Sequence, residues 1–179
     1  SKIEHHAVLH TVEALQNEYN IQVDYVRLKS NGEIDITYLV ELLSQEKKTL
    51  VSLMHVNNEI GTVLDIERVG RICQQYNALF HSDTVQSVGK TKLDLQVIPV
   101  DFIVASAHKF HGPKGIGFAF VRRRSGLRPL FFGGEQEKGL RPGTEGVHQI
   151  AGMARAFELS YHNLEADTKH ISELKAYLI

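Results

Sequence analysis

The chain has 179 residues, 42% of them hydrophobic and 23% charged, which is the composition of an ordinary globular protein large enough for one domain. Its formal net charge of -1 argues against a polybasic surface for nucleic acid or anionic membranes, and no apolar run reaches the length of a membrane span. One cysteine excludes an internal disulfide framework and a cysteine-based zinc site. We therefore expect a cytoplasmic protein without nucleic-acid or membrane partners.

The periodicity of apolar residues divides the chain into alternating helices and strands. In chain order the predictions are a helix over 4–20, a strand over 21–28, a turn over 30–32, a helix that begins after Asp35 or Thr37, a strand over 49–54, a helix that begins after Asp65, a strand over 78–82, one helical turn over 84–88, strands over 101–106 and 116–121, a solvated turn over 122–126, and a helix from Val147 that bends or breaks near 162–167. Strands that alternate with helices indicate an α/β fold with a mainly parallel sheet.

Three of the predicted strands end in polar side chains, over residues 55–58, 83–86 and 106–109. If these strands are parallel neighbours, their carboxyl ends share one edge of the sheet, which is where α/β proteins bind ligands. Taken singly, each end has an ordinary explanation. Asp83 is as well explained as the cap of the turn that follows it, the pair Asn57-Asn58 as a tight turn, and Lys109 as a solvated loop lysine. Their convergence is harder to dismiss.

Together these ends carry the groups that pyridoxal phosphate requires. A buried pyridinium nitrogen needs a carboxylate, and the ring hydroxyl needs hydrogen-bond donors. The phosphate needs hydroxyl and imidazole groups, and the aldehyde needs a lysine with which to form a Schiff base. Asp83 matches the ring nitrogen, and Asn58 and Gln86 match the ring hydroxyl. Ser106 and His108 match the phosphate, and Lys109 matches the aldehyde.

Metal and dinucleotide binding are weaker interpretations. His5 and His6 are adjacent rather than one helical turn apart, and the sequence has no His-Glu-x-x-His pattern, so we predict no metal site. The glycines of the stretch 111–117 lead into a strand instead of opening a helix, which is the wrong context for a dinucleotide or Walker phosphate loop.

Four ordered motifs point to a family: HVNNEIG over 55–61, DTVQSVGK over 83–90, SAHK followed by GPKGIG within 106–117, and RPGT over 141–144. They resemble the motifs of NifS/IscS-like cysteine desulfurases, which are pyridoxal-phosphate enzymes of the class V aminotransferase group. The resemblance implies a three-layer α/β/α large domain of the type I aspartate aminotransferase kind. The chain opens without Met and closes within a helical pattern, so we expect a fragment. Residues 1–160 would form the central part of that domain, and 161–179 the start of a helical connection to a C-terminal small domain.

The resemblance also implies the roles of individual residues. Lys109 would form the Schiff base and later move the proton on the substrate α-carbon, while Asp83 would keep the pyridine nitrogen protonated. His5, within IEHHAV, would stack on the cofactor ring and take part in proton transfer. Thr144 would reach the phosphate bound by a neighbouring subunit, which implies a homodimer. The other residues would keep the cofactor-binding roles given above.

The activity that the resemblance implies is the conversion of L-cysteine to L-alanine. The sulfur would remain on the enzyme as a persulfide for an acceptor protein, such as an iron–sulfur scaffold. In this family the sulfur-accepting cysteine and the arginine that binds the substrate carboxylate lie C-terminal to the matched region. Cys73 lies on an apolar helix face and is predicted to be a core thiol. We therefore expect the fragment alone to be inactive. The alternatives are a selenocysteine lyase, a kynureninase-like hydrolase or an aminotransferase.

Overall fold

The computed structural model describes residues 1–45 and 47–179. Within these residues it has four α-helices and four β-strands, with three short 3₁₀ helices in the loops. In chain order the elements are α1 (His6–Tyr19), α2 (Ile36–Leu43), β1 (Leu50–Ser52), α3 (Ile66–Gln75), β2 (Leu79–Asp83), β3 (Phe102–Ser106), the 3₁₀ helix Ala107–Phe110, β4 (Gly117–Val121), the 3₁₀ helices Arg123–Ser125 and Gln136–Gly139, and α4 (Val147–Leu178). No helix among the described residues is both long and apolar enough to cross a membrane.

The four strands form one sheet in the order β1-β2-β3-β4. β1 and β2 are parallel, β2 and β3 are parallel, and β4 runs antiparallel to β3. The predicted α/β class with a mixed, mainly parallel sheet is therefore confirmed. Gly117 opens β4 opposite Ser106, and a Cβ atom at this position would collide with the Ala105 carbonyl oxygen. The glycine thus lets β4 return close beside the polar end of β3.

The main core lies between one face of the sheet and helices α2 and α3. Phe80 on β2 and Val69 on α3 have no exposed surface, and each fully buried side chain of this kind contributes about 1.5–3 kcal/mol. Cys73 is only 1% exposed, and burial raises the pKa of its thiol to about 12, so the predicted core thiol is confirmed. The opposite face of the sheet is only partly buried, with Leu50 58% exposed. The sheet is therefore covered by helices on one face, whereas the predicted three-layer domain would cover both faces. This agrees with the prediction of an incomplete domain.

Helix α4 extends the core beyond the sheet. The Phe157 ring contacts the rings of Phe110 and Phe118 edge-on, with centroids 5.9 Å apart in both pairs. This contact packs α4 against the 3₁₀ helix that follows β3, so the helix supports the polar end of that strand. The predicted break over 162–167 is wrong, because α4 is continuous from Val147 to Leu178. The segment HNLEAD contains no glycine or proline and is compatible with a helix.

Two helices begin where short polar side chains cap them. Asp35 accepts a hydrogen bond from the backbone of Tyr38 at 3.1 Å, and Asp65 accepts one from the backbone of Arg68 at 3.0 Å. Both predicted caps are therefore confirmed. The alternative cap, Thr37, is wrong because it lies inside the first turn of α2.

Two further predictions are corrected by tertiary contacts. The segment 21–28 is extended but forms no strand, since only Leu28 makes a bridge, to Ile34. Of its apolar side chains, Val26 is buried in the core, whereas Ile21 is exposed. Arg122 is not a solvated turn residue either. Its guanidinium donates hydrogen bonds to the carbonyl oxygens of Val100, Leu95 and Ile98.

Candidate functional site

The polar ends of β1, β2 and β3 lie side by side. Beyond β1, the backbone N–H of His55 donates to the Asp83 carbonyl oxygen at 2.9 Å. Beyond β2, the N–H and hydroxyl of Thr84 both donate to the Val104 carbonyl oxygen, at 3.2 and 2.8 Å. The predicted convergence of three polar strand ends at one sheet edge is therefore confirmed, and the hydrogen bonds that continue past the strands cause it.

Asp83 is the last residue of β2 and is 8% exposed. Its Oδ1 accepts a hydrogen bond from the backbone N–H of Val85 at 2.9 Å, which starts the turn that follows. The N–H of Val88 then bonds the Thr84 carbonyl oxygen at 2.9 Å, in agreement with the predicted helical turn. Asp83 thus caps this turn, and the cap fixes the orientation of a carboxylate buried at the sheet edge. A carboxylate in such a place favours a cationic partner.

The half-buried imidazole of His81 lies on the same face of β2 as Asp83, because side chains two residues apart in a strand share a face. The His81 Nδ1 and the Ser52 hydroxyl are 2.8 Å apart. Burial lowers the pKa of His81, and the nearby charge of Asp83 opposes this only in part. The net effect favours the neutral imidazole, which is held by Ser52. The sequence analysis missed His81, although its i, i+2 spacing from Asp83 is a usable signal.

The polar end of β3 comprises Ser106, His108 and Lys109. Ser106 is the last strand residue, and the next four residues form a 3₁₀ helix that places His108 in an exposed position and Lys109 in a half-buried one. Two causes lower the pKa of Lys90: the larger is its burial, and the second is the positive charge of Lys109. Since Lys90 lies just beyond the Asp83 turn, the ends of β2 and β3 share a positive field that favours an anion such as a phosphate.

The amides at the other strand ends have contacts of their own. Gln86 accepts a hydrogen bond from the Lys90 ammonium group at 3.2 Å. Asn58 is exposed, and its amide donates to the Glu59 carboxylate at 2.7 Å. Its neighbour Asn57 is buried, and its Oδ1 accepts from the backbone of residues 59 and 60, so this pair forms the tight turn that was the ordinary alternative. The cofactor roles of Asn58 and Gln86 stay predictions.

His55 adds a polar atom that sequence reasoning did not single out. The residue is 7% exposed, and among the described atoms its buried Nδ1 has no hydrogen-bond partner. Burial lowers the pKa of this imidazole, which favours its neutral form. A buried ring nitrogen without a partner is rare in a folded domain and indicates a partner that is absent from the described atoms.

The two remaining predicted residues lie outside the strand ends. His5 is exposed at the start of α1, and its Nδ1 accepts a hydrogen bond from the backbone N–H of Ala7 at 3.1 Å. Thr144 lies on an exposed loop between the 3₁₀ helix Gln136–Gly139 and α4. The predicted roles of His5 above the cofactor ring and of Thr144 at a second subunit stay predictions.

The residues at the sheet edge fit pyridoxal phosphate chemically. A buried carboxylate suits a pyridinium nitrogen, and a half-buried lysine at the next strand end suits an aldehyde. The hydroxyl of Ser106 and the imidazole of His108 suit a phosphate. This donor set on a mainly parallel sheet is the one expected in a pyridoxal-phosphate enzyme.

Comparisons with known proteins agree with this class. The chain matches the aminotransferase class-V family over residues 1–179 and belongs to that family. It is 44% identical over 180 residues to the cysteine desulfurase IscS of Buchnera aphidicola subsp. Acyrthosiphon pisum (strain 5A), a match that covers 99% of this chain and 44% of that relative. The predicted family and its cofactor, pyridoxal phosphate, are thereby confirmed, and the chain spans less than half of the relative's length.

Solved structures give the same result. A NifS-like protein superposes with a TM-score of 0.89 at 41% identity, over 98% of this chain and 48% of that one. SspA in complex with cysteine superposes with a TM-score of 0.79 at 37% identity, over 88% of this chain and 46% of that one. Both matches have the fold predicted from the motifs, and both extend well beyond the matched region.

Proposed function

We propose that this chain is the central part of a pyridoxal-phosphate-dependent cysteine desulfurase. The whole protein would convert L-cysteine to L-alanine and keep the sulfur as a persulfide on a cysteine outside these 179 residues. The observation that carries the proposal is that a buried Asp83 and a half-buried Lys109 lie at the ends of neighbouring parallel strands. The relative named cysteine desulfurase and the solved relative in complex with cysteine support this substrate over the alternatives.

Bound at the sheet edge, pyridoxal phosphate supplies an electron-accepting ring and an aldehyde that a lysine can bind covalently. Asp83 holds a proton on the ring nitrogen, because a buried carboxylate stabilises the positive charge there. The turn cap at its Oδ1 keeps the carboxylate in one orientation. Lys109 would hold the aldehyde, and its Nζ would carry the proton from the α-carbon of the substrate.

The other residues hold the cofactor in place. Ser106 and His108 bind its phosphate in the positive field of Lys109, and the amides of Asn58 and Gln86 bind near the ring hydroxyl or the substrate. His5 would lie beside the ring and would take part in proton transfer with the substrate. These roles are supported by the family motifs and, for Ser106, His108, Asn58 and Gln86, by their places at or just beyond the strand ends.

The wider setting is also part of the proposal. Thr144 contributes to the phosphate site of a second copy, so the protein works as a homodimer. The persulfide sulfur passes to an acceptor protein such as an iron–sulfur scaffold in the cytoplasm. Residues 161–179, the second half of α4, begin the connection to a C-terminal small domain. The isolated 179-residue chain makes no alanine, because the sulfur-accepting cysteine is not in it.

The test uses the full-length protein that contains this chain. Addition of pyridoxal phosphate is expected to produce a visible absorption band, which Lys109→Ala should abolish. Lys114→Ala is the matched control, since Lys114 is exposed five residues further along the same loop. A band that survives in Lys109→Ala would refute the assignment of this lysine. A cofactor-loaded protein that forms no alanine from L-cysteine would refute the desulfurase activity but not the cofactor site.

A further inference from the structure

We propose that Glu4 is a positioning residue for His5. It holds the start of α1 on the end of β1 and thereby leaves His5 with its ring proton on Nε2. The importance of this positioning for catalysis rests on the proposed function, because that function assigns proton exchange near the cofactor to His5. The geometry itself requires no cofactor.

Glu4 makes a contact across 50 residues of sequence. Its side chain is 2% exposed. Its Oε2 accepts a hydrogen bond from the backbone N–H of Met54 at 2.8 Å, and its Oε1 accepts one from the Ser1 hydroxyl at 2.6 Å. A carboxylate is costly to bury unless its oxygens are hydrogen-bonded, so these contacts define one favourable place for it. Met54 directly follows β1, which ties the residue before His5 to the sheet edge.

A second hydrogen bond joins the same two segments. The Asn57 side-chain amide donates to the Ile3 carbonyl oxygen at 2.7 Å, while its Oδ1 is held by the turn that follows β1. The chain just before α1 is therefore fixed at two points to residues 54–57. Two attachment points define the direction of the chain as well as its position, and His5 is the next residue.

The contact of His5 determines which ring nitrogen carries its proton. His5 caps α1, and its Nδ1 accepts from the backbone N–H of Ala7. A backbone N–H can only donate, so Nδ1 carries no proton and the proton of the neutral ring lies on Nε2. Protonating Nδ1 would break the cap and place a positive charge at the positive end of the helix. In the neutral ring His5 thus presents its Nε2–H group as a hydrogen-bond donor.

The experiment compares Glu4→Ala, Glu4→Gln and Glu13→Ala in the full-length protein without cofactor. Exchange of the Met54 amide is measured by hydrogen–deuterium mass spectrometry, and the His5 tautomer by NMR of ¹³C-labelled histidine rings, with His5→Gln to assign the signal. Glu4→Ala should accelerate Met54 exchange about 10- to 100-fold, as expected for a lost bond to a charged acceptor, and should remove the single Nε2–H form. Glu4→Gln keeps an acceptor for Met54 and should restore both. Glu13 is exposed on the same helix, so Glu13→Ala should behave as wild type.

An unchanged His5 tautomer in Glu4→Ala would overturn the proposal. If that variant does not fold, Asn57→Asp decides the matter, because it loses the amide that donates to the Ile3 carbonyl oxygen and to Met54 Sδ and keeps its turn-forming oxygen. It should weaken the Nε2–H form of His5, and an unchanged signal would overturn the proposal as well. Neither readout uses pyridoxal phosphate or cysteine, so failure of the proposed function would be seen separately, as missing alanine.

Discussion

Replacement of Arg122 by methionine is expected to lower the free energy of unfolding by about 3 kcal/mol. The Arg122 Nε donates to the Val100 carbonyl oxygen at 2.8 Å, and Nη2 donates to those of Leu95 and Ile98 at 2.9 and 3.3 Å. Each of the two shorter bonds has a charged donor and contributes roughly 1.5–3 kcal/mol, and the long one adds little. Since the Arg122 side chain is only half-buried, water can bond to part of the carbonyl groups that the guanidinium leaves. The estimate therefore takes the lower value for each of the two shorter bonds.

The assay is urea unfolding followed by far-ultraviolet circular dichroism, because the chain has no tryptophan. Methionine keeps the length and apolar stem of the side chain, so the comparison isolates the guanidinium. Arg123→Met is the matched control, because Arg123 is the next residue and is exposed. Its effect should stay within about 0.5 kcal/mol. A loss at Arg122 no larger than at Arg123 would refute the structural role of these hydrogen bonds.

Two further predictions concern titratable groups whose pKa is shifted by burial. Burial raises the Cys73 pKa from 9.0 to about 12, so at about pH 8 its thiolate fraction falls about 1,000-fold. Ellman's reagent should therefore react with the native protein at least about 100-fold more slowly than with the denatured protein, and equal rates would contradict the buried position. Burial lowers the pKa of His55 and of His81 from 6.5, so the unfolded chain takes up more protons below that pH. The contribution of these histidines to the free energy of unfolding should be complete above about pH 6.5. It should fall as the pH drops, by at most about 1.4 kcal/mol per pH unit for each histidine. Urea titrations at about pH 7.5 and 5.5 measure this difference, and replacement of both histidines by glutamine should make it smaller.

Most of the fold could be predicted because its signals are local. Asp35 and Asp65 cap helices through contacts three residues away, which any sequence window contains. The apolar runs of β1, β2 and β3 indicated buried parallel strands for the same reason. The segment 21–28 has the pattern of a strand as well, but a strand needs a partner, and pairing is not a local property. The predicted break in α4 has a different cause. The apolar pattern is weak over 162–167, which suggested an end to the helix, but this segment contains no glycine or proline and the helix continues through it.

The candidate site was predictable where a residue type and a strand end coincide. Asp83 and Lys109 each follow an apolar run, so their place at the sheet edge follows from strand direction alone. His81 and Glu4 were missed, because their importance lies in contacts with residues 29 and 50 positions away. The buried Nδ1 of His55 belongs to the same class of features. No sequence pattern marks an imidazole whose neighbours leave one nitrogen without a partner.

By itself, the sequence determined the alternation of helices and strands, the family motifs and the lysine and aspartate that suit pyridoxal phosphate. Only the tertiary structure decided which side chains of the same type are held by hydrogen bonds and which are exposed to solvent. Arg122 and Arg123 are neighbours of the same type, yet one guanidinium reaches three carbonyl oxygens near β3 and the other is exposed. The physical reason is that burial and hydrogen bonding depend on distance in space, which the chain acquires only when its strand ends come together.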